Sequence, residues 1–145
     1  MTRPVPPEAI AFVREHEGCR LQAYKDSAGV PTIGVGHTRN VQMGDVISQE
    51  TADHYLAQDL KVAADRLANV VNGSLDALTN NQYAALISFV YNVGAGPTWE
   101  IWKCLDDHRL ADVPGQMKLF VHAGGKVVQG LINRRNAEIE LWNTP

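Results

Sequence analysis

The stretch Glu17-Gly18-Cys19-Arg20-Leu21-Gln22-Ala23-Tyr24-Lys25-Asp26-Ser27-Ala28-Gly29, continued after two residues by Thr32-Ile33-Gly34-Val35-Gly36-His37-Thr38, changes its periodicity within a few positions. Just upstream, Ile10 and Val13 recur at helical spacing. Pro7 suits the first turn of that helix, where its missing N–H does no harm, and Gly18 is its stop. From Leu21 to His37 short alternating segments flank the turn formers Lys25-Asp26-Ser27-Ala28-Gly29, which predicts a β-hairpin. In the second arm Ile33 and Val35 are expected on one buried face, and Thr32, Gly34 and Gly36 on the other.

Helical signals dominate further along. Gly44-Asp45 marks another turn, and Ser48 caps a helix expected over 49–71. Its apolar stripe is Tyr55, Leu56, Leu60, Ala63, Leu67 and Val70, and Asn72-Gly73 ends it. Thr79 and Gln82 have the spacing of a capping box for a helix carrying Tyr83, Leu86, Ile87 and Val90 and stopping at Gly94. Further helices are expected around Trp99 to Leu105, from near Pro114, and from about Leu131 to Trp142. The fold class is therefore α+β, mostly α, in one domain spanning 1–145. A small hairpin-containing lobe, about 15–48, and a helical lobe, about 72–145 plus the N-terminal helix, are joined by the long helix. Two lobes hinged on a helix leave a cleft, a common place for a ligand.

Composition narrows the function. The 145 residues suffice for one stable core, and 45% hydrophobic with 20% charged residues is ordinary for a globular protein. A formal net charge of −3 argues against nucleic acid as partner, since phosphate binding wants a basic patch. Cys19 and Cys104 are too few for a disulfide framework, lack the paired spacing of a zinc site, and are expected to be small, partly buried thiols. The proline-rich start, Met1 to Glu8, contains no apolar run long enough for a signal peptide or membrane anchor.

Two carboxylates stand out. Glu17 falls at a helix C-terminus, where unpaired carbonyls disfavour a second negative charge and so favour an acid that keeps its proton. Asp26 sits in a polar turn beside Lys25, where water, backbone N–H groups and the cation favour the ionised form. A protonated and an ionised carboxyl are the pair that glycoside hydrolysis uses. Thr32 follows on a face with little side-chain bulk and is placed to hold a water near Asp26.

The segment from Glu17 to Asp26, with Gly29 and the run Thr32 to Thr38, closely resembles the catalytic segment of T-even-phage-type lysozymes and related endolysins. That family is marked by Glu, eight residues, Asp, five residues, Thr, and both spacings are met here. Asn92-Val93-Gly94-Ala95-Gly96, Ala123-Gly124-Gly125-Lys126, Gly130-Leu131, Arg134-Arg135 and Glu138 extend the likeness over most of the chain. The resemblance implies a lysozyme-like fold and an N-acetylmuramidase that cleaves peptidoglycan between N-acetylmuramic acid and N-acetylglucosamine with inversion. It implies Glu17 as general acid, Asp26 as the carboxylate that activates water, and Thr32 as the hydroxyl that positions it. It also implies Thr38 and Trp99 as substrate contacts, His37 paired with an acidic residue, and an arginine from the last helices, expected to be Arg135, approaching Glu17.

No metal or organic cofactor is implied. The expected partner is the peptidoglycan glycan strand, with no nucleic acid, no stable membrane insertion, and a monomeric state. Synthesis in the host cytoplasm and dependence on a holin for access to the wall go with the resemblance. The chain departs from many relatives in a shorter loop after Gly96, in Trp99-Glu100 where Ser-Thr is usual, and in Phe120 where tryptophan is common. Two other readings compete: a non-catalytic wall-binding or scaffold module on the same fold, and a lytic transglycosylase, against which the presence of Asp26 and Thr32 argues.

Overall fold

Helix α1 (Pro7–Glu17) has proline at its first position and buries Ala9 and Val13. Gly18 ends it with φ 70°, a left-handed angle that favours glycine, and donates its N–H to the Arg14 carbonyl at 3.0 Å. The computed structural model describes residues 3–145; Met1 and Thr2, the start of the proline-rich stretch Met1 to Glu8, lie outside the described residues.

Strand β1 (Arg20–Lys25) pairs antiparallel with β2 (Pro31–Gly34), placing Tyr24 opposite Thr32 and Lys25 opposite Pro31. The expected alternation along the second arm does not persist, because β2 ends at Gly34. Gly34 (φ 64°) and Gly36 (φ 69°) turn the chain, and Ile33 and His37 exchange both backbone hydrogen bonds at 2.9 Å around them. The two glycines consequently meet different neighbours. A Cβ on Gly34 would touch Ala52, whereas one on Gly36 would lie 2.9 Å from the Tyr91 hydroxyl. Ile33 and Val35 are both buried, yet only Val35 joins the main apolar core.

Helix α2 (Gln49–Val70) starts where Ser48 predicted it, with the Ser48 hydroxyl accepting from the Thr51 N–H at 3.1 Å. Leu56, Leu60, Ala63 and Leu67 of the expected stripe are buried, joined by Ala52 and Ala64. Tyr55 is half-buried on the hairpin side, stacked on His37 with centroids 4.2 Å apart. The same helix thus packs on β2 and on helix α3 (Asn80–Val93). The capping box of α3 is present in both directions, Gln82 N–H to Thr79 Oγ1 and Thr79 N–H to Gln82 Oε1, each at 3.0 Å.

Every residue from Tyr83 to Val90 on α3 is buried, and this helix packs against α1, α2 and helix α6 (Gln129–Trp142). Short helices α4 (Glu100–Asp106) and α5 (Val113–Met117) close the helical lobe. A second hairpin, β3 (His122–Ala123) with β4 (Lys126–Val127), was not expected. Its loop, Gly124-Gly125, has φ 58° and 78°, the two positive angles of the turn that best joins adjacent strands. No helix among the described residues is long and apolar enough to cross a membrane.

Candidate active site

Glu17 is the last residue of α1, and its side chain is 28% exposed. Its Oε1 lies 2.5 Å from Arg134 Nη1, so the arginine that reaches it is Arg134 and not Arg135. The reason is the helical period. Arg134 and Glu138 are one turn apart on α6, and Arg134 Nε lies 3.4 Å from Glu138 Oε2. Arg135 is rotated by about 100° along the same helix. Its Nη2 donates to Asn92 Oδ1 at 2.6 Å and its Nη1 to the Phe120 carbonyl at 3.3 Å.

Beneath this pair the helical lobe buries a carboxylate. Glu138 is fully buried, 2.8 Å from Arg135 Nε, and accepts from Ser88 Oγ at 2.7 Å. Arg134 Nη2 also donates to Ser88 Oγ, at 3.2 Å. Burial pushes the Glu138 carboxyl up, opposed by the charges of Arg135 and Arg134 and by the Ser88 bond. Burial pulls the Arg135 guanidinium down, opposed by Glu138. Two carboxylates and two guanidiniums therefore form one mutually neutralising group reaching from the core to Glu17.

Glu17 opens on a cavity of about 300 Å³ that is also lined by Gly36, Thr38, Arg39, Asp59, Arg66 and Tyr91. Tyr91 donates its hydroxyl to the Val35 carbonyl at 2.8 Å. Desolvation, then the negative charge of Glu17, pushes its phenol well above the ordinary range. Gly36 leaves room here, for a Cβ would stand 3.7 Å from Glu17 Oε2 as well as against Tyr91.

Asp26 and Thr32 are held together on the hairpin rather than in the lining of that cavity. Asp26 Oδ1 accepts the N–H groups of Ala28 and Val30 at 2.9 and 2.8 Å, which fixes the orientation of the side chain in the turn. Thr32, only 3% exposed, donates its hydroxyl to the Val30 carbonyl at 2.9 Å. One peptide unit segment at Val30 therefore fixes both side chains. Because the Thr32 proton is already engaged, its oxygen faces any further partner as an acceptor.

Of the remaining candidates, Thr38 lines the cavity beside Glu17. His37 is buried, with Nδ1 2.8 Å from Asp59 Oδ2 and Nε2 3.0 Å from the Arg39 carbonyl, a pair that fastens the turn after β2 to α2. Trp99 lies elsewhere. It belongs to an aromatic cluster with Phe89, Trp102 and Phe120, and borders a separate cavity with Asn92, Phe120 and His122. Trp102 is core, its Nε1 donating to the Gly96 carbonyl at 2.7 Å. Cys104 is buried as expected, whereas Cys19 is exposed. Sequence reasoning missed Tyr91, Ser88, Arg39 and Arg66; of these, only Ser88, a polar residue amid an otherwise apolar helix run, carried a signal.

Glu17 thus stands at a helix end over a cavity, and Asp26 is fixed by two N–H groups on the β1–β2 hairpin. Residues 14–138 match the family described as phage lysozyme, and the chain belongs to that family. It is 34% identical over 97% of its length to an endolysin of Acyrthosiphon pisum secondary endosymbiont phage 1, covering 98% of that protein. It is 35% identical over 93% of its length to an endolysin of Bacillus phage PZA, of which it spans 53%. Among solved structures, the muramidase domain of SpmX from Asticaccaulis excentricus superposes with a TM-score of 0.86 at 29% identity, covering 99% of this chain and 100% of that one.

Proposed function

We propose that this chain is a phage-type endolysin that hydrolyses the β-1,4 bond between N-acetylmuramic acid and N-acetylglucosamine in peptidoglycan, with inversion. The observation that carries the reading is Glu17, partly shielded, opening on a cleft that a hairpin bearing Asp26 and Thr32 adjoins. Glu17, in its protonated form, donates its proton to the leaving oxygen. Asp26, its Oδ1 held by two N–H groups, takes a proton from water through its other oxygen. Thr32 accepts the second proton of the same water as a hydrogen bond, which leaves the water's lone pair free for the anomeric carbon. An inverting reaction of this kind needs the two carboxyl groups roughly 6.5–9.5 Å apart, with the water between them.

Arg134 in this reading holds the Glu17 side chain in place, and Thr38 touches the sugar at the cavity wall. Trp99 contributes through the separate aromatic cavity, as a platform for the strand further along. The whole chain acts as one domain, its lobes near 15–48 and 72–145 joined by α2. The partner is the glycan strand, the protein acts as a monomer on the cell wall, and a holin admits it from the host cytoplasm.

A zymogram on purified peptidoglycan tests the activity, with mass spectrometry of the products. Cleared zones and reducing-end muropeptides are expected from the wild-type chain; anhydro sugars instead would mean a transglycosylase. Wall pelleting with no release of reducing ends would favour a binding module. Glu17→Gln is expected to lower turnover by roughly 10²–10⁴-fold, the usual worth of a positioned acid, with melting temperature little changed. Retained turnover in that variant would refute the assignment.

A further inference from the structure

The chain has eight arginines, and six have side-chain partners in the fold. Arg3 donates to the Leu75 and Leu78 carbonyls, Arg14 pairs with Asp53, and Arg20 lies over the Tyr24 ring. Arg109 pairs with Glu100, Arg134 with Glu17 and Arg135 with Glu138. Among the described residues only Arg39 and Arg66 have no carboxylate, carbonyl or ring partner for the guanidinium, and both line the cavity beside Glu17. The two carboxylates in the same lining are already engaged, Glu17 by Arg134 and Asp59 by His37.

Arg39 follows the turn after β2, and Arg66 stands on α2, so the cavity is lined by one arginine from the hairpin side and one from the connecting helix, both exposed to solvent. This concentration of unopposed positive charge occurs in a chain whose net charge is −3. A concave wall focuses such a field, and the planar fork of a guanidinium matches a carboxylate. Glycan strands of peptidoglycan carry carboxylates that chitin-type chains lack, either on the lactyl ether of muramic acid or on the peptide stem attached to it.

We propose that Arg39 and Arg66 form an anion subsite of the cleft that binds a carboxylate of the glycan substrate and so selects peptidoglycan over uncharged N-acetylglucosamine polymers. That the carboxylate belongs to a substrate rests on the hydrolase reading of the same cleft; that the cleft binds one does not.

Three ligands separate the possibilities by calorimetry at low and high salt: a disaccharide muropeptide with its stem, the same disaccharide without the stem but with a free lactyl carboxylate, and an uncharged chitin disaccharide. Wild-type protein is expected to bind at least one acidic ligand more tightly than the uncharged one. In Arg39→Gln/Arg66→Gln that preference should fall by about tenfold and lose most of its salt dependence. Binding of the chitin disaccharide should be unchanged. The acidic ligand that loses affinity identifies the source of the carboxylate. Arg39→Lys/Arg66→Lys, which keeps the charge, should restore part of the preference.

On intact peptidoglycan the double glutamine variant should raise KM by about the same factor with kcat within about twofold. The proposal is overturned if wild type shows no preference for either acidic ligand. It is equally overturned if the glutamine variant keeps that preference, or if acidic and uncharged ligands weaken together. Should wild-type protein bind carboxylates through these arginines yet release no muropeptides, the hydrolase reading would fail and the anion subsite would stand.

Discussion

Gly36 has φ 69° and a Tyr91 hydroxyl 2.9 Å from where its side chain would begin. Both facts forbid a larger residue, for different reasons. The angle strains any L side chain by about 1–3 kcal/mol, and the contact would push Tyr91 off the Val35 carbonyl. Gly36→Ala should therefore destabilise the fold and lower turnover, because the displaced ring shares the cavity with Glu17. Adding Tyr91→Phe should recover part of the stability by removing the close oxygen; denaturant titration of the two variants reads the difference. If the second change recovers nothing, the contact is not what limits position 36. Glu138 supplies a larger effect. Removing the one carboxylate between two buried guanidiniums, as in Glu138→Ala, should cost about 3–5 kcal/mol of stability, the usual penalty for leaving buried charge unmatched. A loss under about 1 kcal/mol would mean that Ser88, Asn92 and Glu17 suffice to satisfy both arginines.

The elements differed in how far they could be read. Helices α2 and α3 announced themselves through Ser48 and through the Thr79/Gln82 pair, because capping is a local interaction written in adjacent residues. The hairpin β1–β2 was equally legible, yet the turn at Gly34–Gly36 was not. Alternation assumes that a strand continues, and the positive angles of the two glycines end it. Gly124-Gly125 carried the opposite lesson: two adjacent glycines between short segments are a hairpin loop, but two-residue strands leave no periodicity to confirm it. Thr79→Ala tests the reading at this scale. It should cost about 0.5–2 kcal/mol by leaving the Gln82 N–H without its acceptor. Turnover should be unaffected, since the cavity touches the opposite end of α3, at Val90 and Tyr91. A thermal melt and a peptidoglycan assay on one preparation check both statements.

At the scale of the molecule, the order of helix, hairpin, long helix and helical lobe was available from pattern alone, while the ionic group joining Glu17 to α6 was not. Arg134 and Arg135 are neighbours in sequence with the same chemistry, and only the rotation of α6 against α3 decides which meets Glu17. The phase of a helix against distant partners is a property of packing, which no local pattern carries. Packing also sets the alkaline limit. Burial raises the phenols of Tyr83 and Tyr91. In the unfolded chain both ionise near the ordinary value of about 10. The folded protein thus keeps protons that the unfolded chain gives up, so stability is complete below that pH and declines as pH climbs above it. Melting temperature should fall steeply from about pH 10 upward. Of the four tyrosines, Tyr83 should ionise above the ordinary value and Tyr91 only with unfolding, as ultraviolet titration would show. Full ionisation of all four in still-folded protein would contradict this.

Cys19 is exposed two positions beyond Glu17, with its sulfur 3.7 Å from Gln49 Nε2 at the start of α2, whereas Cys104 is sealed inside α4 with its thiol pushed up by burial. An unaltered preparation should accordingly take a single maleimide dye per molecule. The attached fluorophore would sit where the hairpin meets the long helix, ready to report in real time whether the lobes draw together when a sugar chain enters.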